Sequence, residues 1–506
     1  MKVKLFEIKK MFWWEVVFLL LILAAAVQVR LPYLAEPFEC DQANYSYIAN
    51  HWQEGLTPYR YAWDNKPPLI FIWYRVISFF LGFSVRGIHL GFIFLALGST
   101  LFFYALSRRL FSRGFALISA FLYAIFSAGA LISGTFAITE NLAVFFVIGG
   151  FYFFWNGCER EKDNSFFIAG IFLGLAMMSK QVAFWETAAL TMFFVLRGLR
   201  TTTFLLIAWR LILFWSGAAV VIAFFILIFT AMGAVFDFFS SVLIYNLFFG
   251  KIVGIRQGLI NLWQALFWTP RENFLLWFFA IPGLILAFSK KEKKSLVIVL
   301  WFFAALLGVV SALRFYPHYF IQVIPILVMF SVYFLQTMWD SLGVIKKFLS
   351  LVFFVIAVIC FSAVQWRWWF SYSPLESLIA RRGTFARPDL YRASEGVSAY
   401  IRARTTGEDF IYIWGLWPEI YYLSHRKSPS KYFYISSRGT MVGRFKEVVQ
   451  TQVYYDIIKK PPKYLIIDEH FADLVGAPMQ RYINSGYALV KKETGYRILV
   501  RKDAVD

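Results

Sequence analysis

Charged residues are scarce in this chain, and acidic residues are the scarcer kind. Only 16% of its 506 residues are Asp, Glu, Lys or Arg, with 30 acidic side chains against 50 basic ones. Soluble domains carry about 25% charged residues, so this composition excludes a soluble enzyme. Instead, 60% of the residues are hydrophobic, and apolar runs recur that can cross a bilayer core of about 30 Å as helices. The chain is therefore predicted to be a polytopic α-helical membrane protein.

The sequence also lacks the motifs that mark metal and nucleic-acid sites. Its three cysteines, Cys40, Cys158 and Cys360, are far apart and without ligand spacing, which predicts neither a disulfide nor a cysteine metal site. It has no zinc-finger, recognition-helix or RNA-binding signature, so the formal charge of +20 does not indicate a nucleic-acid partner. In a membrane protein, an excess of Lys and Arg fits the positive-inside rule and anionic lipid partners.

Length and hydropathy predict eleven membrane helices. A cytoplasmic N-terminus puts most basic residues of the short loops inside, as the positive-inside rule requires, and leaves the C-terminus outside. A further apolar segment, Leu69–Leu81, is too short to span and is predicted to lie along the membrane surface. The predicted spans are 11–30, 84–106, 114–132, 137–155, 166–179, 182–197, 204–230, 274–289, 295–313, 319–339 and 348–366.

Three segments on the predicted outer side are too long to be simple connections: 31–83, 231–273 and the residues after Arg367. We therefore expect a membrane domain over 1–366, which includes the first outer loop 31–83, and an extracytoplasmic α/β domain over 367–506. The predicted elements of the second domain are strands Phe410–Trp414, Tyr432–Ile435, Tyr464–Ile467, Ala488–Lys491 and Arg497–Val500, and helices Pro418–His425 and Phe445–Lys459.

The first outer loop carries two carboxylates, Glu39 and Asp41, a few residues after the first helix leaves the membrane. A carboxylate fixed there can deprotonate an incoming hydroxyl group. A plainer interpretation is that Asp41 is the N-cap of a helix running to His51, because Asp is a favoured N-cap residue. Both interpretations stay open at the level of the sequence.

Further along the same loop, Lys66 precedes two prolines. A lysine ammonium is a compact charge suited to a phosphate group, and the prolines fix the backbone before the segment at Leu69. Alternatively, this is a rigid loop entry with a lysine that reaches to the membrane surface.

Other polar residues map to the same outer side of the predicted topology. Glu140 begins the fourth predicted helix, and Lys180 lies between the fifth and sixth helices, with Glu186 beyond it. Acidic residues in membrane segments are costly and usually functional, although an ion pair of Lys180 with Glu140 or Glu186 could be purely structural. The connection between helices nine and ten contains Arg314, Tyr316, His318 and Tyr319, which suit either an anionic headgroup or an aromatic belt.

Six of these residues come from distant parts of the sequence and share one predicted membrane face. We therefore expect a single outer cavity that holds an acid, a base and phosphate-binding cations, formed by Asp41, Lys66, Glu140, Lys180, Arg314 and His318.

The membrane half, about residues 11–340, resembles the GT-C superfamily of lipid-dependent glycosyltransferases. The resemblance is to the bacterial branch of the dolichyl-phosphate-mannose protein mannosyltransferase family, to which the lipid A aminoarabinose transferase is related. It rests on Asp41 with Tyr45 and Ile48-Ala49, on Lys66-Pro67-Pro68-Leu69, on Thr139-Glu140-Asn141-Leu142, and on Arg314 through Tyr319 with Pro325.

The resemblance implies an inverting transferase that uses a polyprenyl-phosphate sugar on the outer face of the bacterial inner (plasma) membrane. Asp41 would be the general base, with Glu39 and Glu140 as the further acidic candidates. The departing phosphate would be neutralised by Lys66, Lys180 and Arg314 with Tyr316 or His318, and Tyr45 would line the substrate site. No cofactor is implied, although a divalent metal stays open because the more distant oligosaccharyltransferases use one.

The chain departs from the family pattern at two positions. Relatives commonly have Glu where this chain has Gln42, and often Arg where it has Asn44. The sugar and the acceptor, which could be a glycan, a lipid or a protein, are therefore left open. Two other functions are weighed: a transporter or flippase of lipid-linked saccharide, disfavoured because no inverted pair of broken helices appears, and a non-catalytic membrane anchor.

Overall fold

The computed structural model describes residues 12–198, 203–249, 252–290, 292–341, 370–376, some single positions between 343 and 378, and 388–504 except 437–439, 442 and 444. For 198, 268–272, 388, 389 and 391 only the backbone is described. The helices up to residue 341 are α1 Trp13–Gln28, α2 Cys40–Gln53, α3 Leu69–Leu81, α4 Val85–Leu110, α5 Arg113–Phe126, α6 Thr139–Arg160, α7 Asp163–Ser179, α8 Phe184–Gly198, α9 Phe204–Ala231, α10 Val235–Phe239, α11 Tyr245–Phe249, α12 Ile255–Lys290, α13 Lys293–Val310 and α14 Ile324–Ser341.

Seven stretches among the described residues are long and apolar enough to cross a membrane. They correspond to predicted helices one, two, four, seven, eight, nine and ten. The third, fifth and sixth predicted spans are helices α5, α7 and α8, which are shorter, and the span at 348–366 lies almost wholly outside the described residues. The seven stretches are Trp13–Tyr33, Val85–Leu110, Thr139–Arg160, Phe204–Ala231, Asn273–Lys290, Lys293–Val310 and Pro317–Ser341.

The chain forms two compact units. Unit 1 contains residues 1–36, 81–225 and 253–377, and unit 2 contains residues 37–80, 226–252 and 378–506. Each unit therefore combines segments that are far apart in the sequence. The C-terminal α/β elements belong to the same unit as most of the first outer loop, in addition to forming a sheet of their own.

Glycines bring the helices of unit 1 close together. A Cβ atom on Gly170 of α7 would lie 1.9 Å from the carbonyl oxygen of Phe214, and one on Gly217 of α9 would lie 2.2 Å from that of Phe167. On α12, a Cβ at Gly283 would lie 2.0 Å from the carbonyl oxygen of Phe330 in α14. Small residues at such positions let helix backbones approach, which is how membrane helices pack without a strong hydrophobic driving force between them.

The C-terminal part of unit 2 is a four-stranded sheet with flanking helices. The strand order is β1-β2-β4-β3, with β1 and β2 parallel and the other pairs antiparallel. The elements are helix α15 Pro388–Arg404, strand β1 Ile411–Trp414, helix α16 Glu419–Ser424, helix α17 Phe445–Lys459, strand β2 Tyr464–Asp468, helix α18 Ala477–Gly486, strand β3 Tyr487–Glu493 and strand β4 Tyr496–Arg501.

Four of the five predicted strands are confirmed with small shifts at their ends, but Tyr432–Ile435 is not a strand. Its backbone bonds go to other partners: the Tyr432 amide donates to the Ser430 hydroxyl, and the Ile435 amide donates to the Gly415 carbonyl. The segment therefore crosses the end of the sheet as irregular chain. Helices α15 and α18 were not predicted from the sequence.

The first outer loop packs against C-terminal residues within unit 2. The Tyr47 hydroxyl of α2 accepts a hydrogen bond of 2.9 Å from the Ser428 amide, and its ring stacks on Phe433 at 4.3 Å. The Trp63 amide donates to the Lys431 carbonyl at 2.8 Å. The loop is thus ordered by residues that follow it by more than 350 positions.

Candidate functional site

Glu39 is the N-cap of helix α2. Its carboxylate accepts hydrogen bonds from the Asp41 and Gln42 amides at 3.0 and 3.3 Å, and its own amide donates to the Gln42 side chain at 3.1 Å. This reciprocal arrangement is a capping box, which satisfies amide groups that the first helical turn leaves without partners. Glu39 is 5% exposed, so the structure gives it a clear role in starting the helix.

The interpretation of Asp41 as the N-cap is therefore wrong. Helix α2 begins at Cys40, two residues earlier than that interpretation requires, and Asp41 occupies the second helical position. Its side chain is partly exposed, and among the described residues no hydrogen bond or ion pair of its carboxylate is found. A negative charge in the first turn of a helix is favoured by the helix dipole, so the position of Asp41 suits an acidic side chain.

The loop around Lys66 is fixed by several hydrogen bonds. The Tyr59 hydroxyl donates to the Lys66 carbonyl at 2.8 Å, and the Lys66 amide donates to the Asp64 carboxylate at 2.9 Å. The Lys66 ammonium donates to the Asn65 side-chain oxygen at 3.1 Å. Together with the prolines that follow, these bonds hold the position from which the lysine side chain extends.

Asp64 lies within electrostatic reach of both Lys66 and Asp41. No role for it was predicted from the sequence. It is 2% exposed, and this burial raises the pKa of its carboxyl group to about 6. The nearby Lys66 charge opposes that rise, whereas the Asp41 charge adds to it. Unit 2 therefore brings Asp41, Asp64 and Lys66 into one electrostatic neighbourhood. Only the short spacing of Asp64 and Lys66 could have indicated this from the sequence.

Tyr45 lies on α2 and packs against the next helix. Its ring centroid is 6.0 Å from Phe71 and 5.9 Å from Tyr74 of α3, and the residue is fully buried. The structure thus places Tyr45 in the packing between α2 and α3. A contact of Tyr45 with substrate stays a prediction.

A second cluster lies in unit 1, around Glu140 at the start of α6. The Lys180 ammonium forms an ion pair of 2.5 Å with the Glu140 carboxylate and lies 4.1 Å from the ring centre of Tyr319. The His318 Nε2 atom is 3.6 Å from the same Glu140 oxygen. From the sequence, Lys180 could pair with either Glu140 or Glu186. In the structure it pairs with Glu140, which is 4% exposed.

The connection between α13 and α14 continues this cluster. The Arg314 guanidinium donates to the Tyr316 hydroxyl at 3.2 Å, and the Tyr316 ring stacks on His318 with centroids 5.6 Å apart. Leu313 and Phe315 flank Arg314 and have positive φ angles of 51° and 50°. Left-handed backbone is unfavourable at such bulky residues and is often retained at functional sites.

A small cavity in unit 1 is lined by Glu140, Lys180, Glu186, Trp301 and Gln322, among others. Glu186 is 2% exposed, and one of its carboxylate oxygens has no hydrogen-bond partner among the residues that the structure describes. Within the same part of the chain, the side-chain nitrogen atoms of Trp301 and Gln322 also have none. Buried polar atoms of this kind are normally satisfied by bound water or by a ligand.

The structure therefore brings the predicted residues together in two sets. Unit 1 assembles Glu140, Lys180, Arg314, Tyr316 and His318, and unit 2 assembles Glu39, Asp41, Tyr45 and Lys66. The single shared cavity stays a prediction. Within the described part of the chain, no group of three or more His, Cys, Asp or Glu residues is arranged to hold a metal ion.

Comparison with known proteins identifies related sequences and folds. The sequence model of the family described as dolichyl-phosphate-mannose-protein mannosyltransferase matches residues 65–229, a range that includes Lys66, Glu140 and Lys180. No curated protein sequence matches the chain.

Several solved structures share the fold at low sequence identity. ArnT from Cupriavidus metallidurans bound to undecaprenyl phosphate is 13% identical with a TM-score of 0.62, covering 97% of this chain and 99% of ArnT. The Archaeoglobus fulgidus oligosaccharyltransferase AglB, in complex with an inhibitory peptide and a dolichol-phosphate, is 14% identical with a TM-score of 0.57, covering 98% of this chain and 75% of AglB. The A. fulgidus oligosaccharyltransferase in complex with Zn and sulfate is 16% identical with a TM-score of 0.60, covering 96% and 73%.

The apolar spans, the family match and the shared fold agree with one another. This chain is a multi-pass membrane protein whose residues 65–229 match the dolichyl-phosphate-mannose-protein mannosyltransferase family model and whose fold is shared with ArnT and the A. fulgidus oligosaccharyltransferase.

Proposed function

We propose that this protein transfers a sugar from a polyprenyl-phosphate donor to a hydroxyl group of an acceptor, with inversion at the anomeric carbon. Asp41 is the general base, and the reaction takes place at the outer face of a bacterial inner (plasma) membrane. The N-terminus is then cytoplasmic and the C-terminal domain extracytoplasmic. The polyprenyl phosphates bound by ArnT and AglB support this class of donor.

The proposal is supported chiefly by the first turn of α2, where one acidic residue caps the helix and the other does not. Glu39 accepts the amide hydrogen bonds that begin the helix, so the carboxylate of Asp41, two residues later, is not used for capping. A general base needs an ionised carboxylate that can approach the hydroxyl proton. Asp41 is partly exposed, which allows an acceptor to reach it.

In the reaction, the Asp41 carboxylate removes the proton of the acceptor hydroxyl as its oxygen attacks the anomeric carbon. The bond between that carbon and the phosphate oxygen breaks, and polyprenyl phosphate leaves with the bonding electron pair. Negative charge grows on the departing phosphate, so a fixed cation lowers the barrier electrostatically. Lys66 supplies such a cation in unit 2.

The unit 1 cluster has a different part in the proposal. Lys180 is paired with the Glu140 carboxylate, whereas Arg314 donates a hydrogen bond to the Tyr316 hydroxyl. We assign Arg314 with Tyr316 or His318 to the phosphate, and Lys180 with Glu140 to holding that part of the site together.

The test is transfer from radiolabelled polyprenyl-phosphate sugars by purified protein, comparing wild type with Asp41→Asn. This variant keeps size and hydrogen bonding but removes the base. The matched control is Asp473→Asn, an exposed aspartate of unit 2. Loss of transfer with donor binding retained supports the proposal, and full activity of Asp41→Asn contradicts it. Donor movement across vesicles without transfer would instead indicate a transporter or flippase.

A further inference from the structure

Asn246 is a partly buried contact of the Lys66 loop that comes from a distant part of the chain. It lies on α11, directly after a π-helical turn over Ser240–Ile244. π-Helical turns are rare and occur frequently at functional sites, because the extra residue changes the direction of the side chains that follow. Here the turn precedes a side chain that reaches the loop 181 residues earlier in the sequence.

Two hydrogen bonds join Asn246 to Asn65, one to its side chain and one to its backbone. The Asn65 amide nitrogen donates to the Asn246 side-chain oxygen at 3.1 Å, and the Asn246 amide nitrogen donates to the Asn65 backbone carbonyl at 2.8 Å. The same Asn246 nitrogen donates to the Val242 carbonyl at 2.9 Å. Asn246 therefore fixes both the backbone and the side chain of Asn65 relative to its own helix.

The fixed Asn65 side chain in turn holds the Lys66 ammonium through a hydrogen bond. With its amide nitrogen bonded to Asn246, the Asn65 side chain can present only its oxygen to the neighbouring ammonium, and that oxygen accepts from the Lys66 ammonium at 3.1 Å. A lysine ammonium stands on a flexible four-carbon stem, so a fixed acceptor beside it reduces the range of positions that the charge occupies. An ordered charge is a better partner for a phosphate group than a mobile one.

We propose that Asn246 is a positioning residue for Lys66 and acts through Asn65. The inference rests on the proposed function, since it assumes that Lys66 binds the phosphate of the lipid donor. It adds a residue of the second outer segment, 231–273, to a site whose other unit 2 members come from the first outer loop.

The test measures binding of undecaprenyl phosphate to purified full-length protein and transfer kinetics, for wild type, Lys66→Met, Asn246→Ala and the double variant. Losing a charged contact weakens binding about 10- to 100-fold, and losing a neutral hydrogen bond about 2- to 10-fold. We therefore expect a large rise in Kd for Lys66→Met and a smaller one for Asn246→Ala, which also raises KM for the donor more than it lowers kcat.

The double variant separates positioning from a merely structural role. If Asn246 acts through Lys66, its substitution has no further effect on binding once Lys66 is methionine. Asn246→Asp is expected to be at least as damaging as Asn246→Ala, because a carboxylate oxygen would face the Asn65 and Val242 carbonyls. Asn50→Ala is the matched control, since the Asn50 side chain donates to the exposed Glu54 side chain in the same unit.

Each outcome decides one of the two proposals. Wild-type Kd and KM in Asn246→Ala, or losses that multiply in the double variant, overturn the positioning role while leaving the transferase proposal intact. Unchanged phosphate binding in Lys66→Met overturns the phosphate role of Lys66, and the positioning inference falls with it. If Asn246→Ala fails to fold, Asn65→Leu is measured in its place. It removes the Asn65 side-chain hydrogen bonds to Asn246 and to the Lys66 ammonium.

Discussion

The two polar clusters of this protein differ in how their charges are used. In unit 1, the Glu140 carboxylate is paired with Lys180 and lies near His318, while Arg314 donates to the Tyr316 hydroxyl. In unit 2, Glu39, Asp64 and Asn65 make the structural hydrogen bonds, and each is close in sequence to Asp41 or Lys66, the partly exposed residues that we propose for the chemistry.

The difference shows that a charged residue near an active site can have either of two physical roles. A buried ion pair is strongly destabilised when one partner is removed, because the other charge is left uncompensated. A carboxylate whose neighbours carry the structural bonds can be changed with little effect on folding. The variants below test whether the clusters divide in this way.

The largest expected effect is on catalysis in unit 2. Asp41→Asn should lower transfer by about 100- to 10,000-fold, the usual contribution of a general base, while the melting temperature stays close to that of wild type. Paired measurements of transfer rate and thermal unfolding check this expectation. A variant that is both inactive and unstable would place Asp41 with the structural residues.

Breaking the ion pair of unit 1 should mainly affect stability. Glu140→Gln or Lys180→Met leaves one buried charge without its partner, at a cost of roughly 3 kcal/mol in the free energy of unfolding. The double variant should regain part of that loss, which denaturant titration of the purified protein can measure. Single variants as stable as wild type would show that the pair has no structural role.

Removal of the helix cap should have a smaller effect. Glu39→Ala leaves the Asp41 and Gln42 amides without their acceptor and should cost about 1 kcal/mol of stability. Glu39→Gln, which keeps an oxygen acceptor, should recover most of it and retain transfer activity. Loss of transfer in Glu39→Gln at normal stability would instead mark Glu39 as a catalytic acid.

The smallest effect concerns pH. The pKa of Asp64 is raised to about 6 from an ordinary value of 3.8, so the folded state holds that proton more tightly than the unfolded state. The folded state therefore loses stability as pH rises between roughly 4 and 6. Asp64→Asn keeps an oxygen acceptor for the Lys66 amide and removes this penalty, so its melting temperature should gain on that of wild type from pH 4.5 to pH 7. An equal difference at both pH values would contradict the burial of a titrating Asp64.

Much of the fold follows from local sequence signals. Helices α3 and α17 have the bounds that the sequence predicts, Leu69–Leu81 and Phe445–Lys459. Helix α3 is a mostly apolar run, which is a strong local signal. The strand predicted at Tyr432–Ile435 is wrong, because a local pattern does not determine which distant backbone groups a segment pairs with. A short run of aromatic and β-branched residues indicates burial, but its backbone partners are chosen by the rest of the fold.

The candidate site could be predicted only as a set of residues. Asp41, Lys66, Glu140 and Lys180 stand out because charged residues are rare in this sequence. Glu39 and Asp41 could not be ranked, since both are able to cap a helix and the choice depends on a shift of two residues in where the helix starts. Asn246 carries no signal at all, as a single asparagine among aromatic residues.

The sequence by itself determined that this chain crosses the membrane many times and carries an α/β segment, because hydrophobicity and periodicity act over neighbouring residues. Only the tertiary structure decided which acid caps α2, which acid pairs with Lys180, and which distant side chain supports the Lys66 loop. Those outcomes depend on hydrogen bonds of about 3 Å between residues up to 181 positions apart. Such bonds form only after the packing of whole helices has brought the partners together.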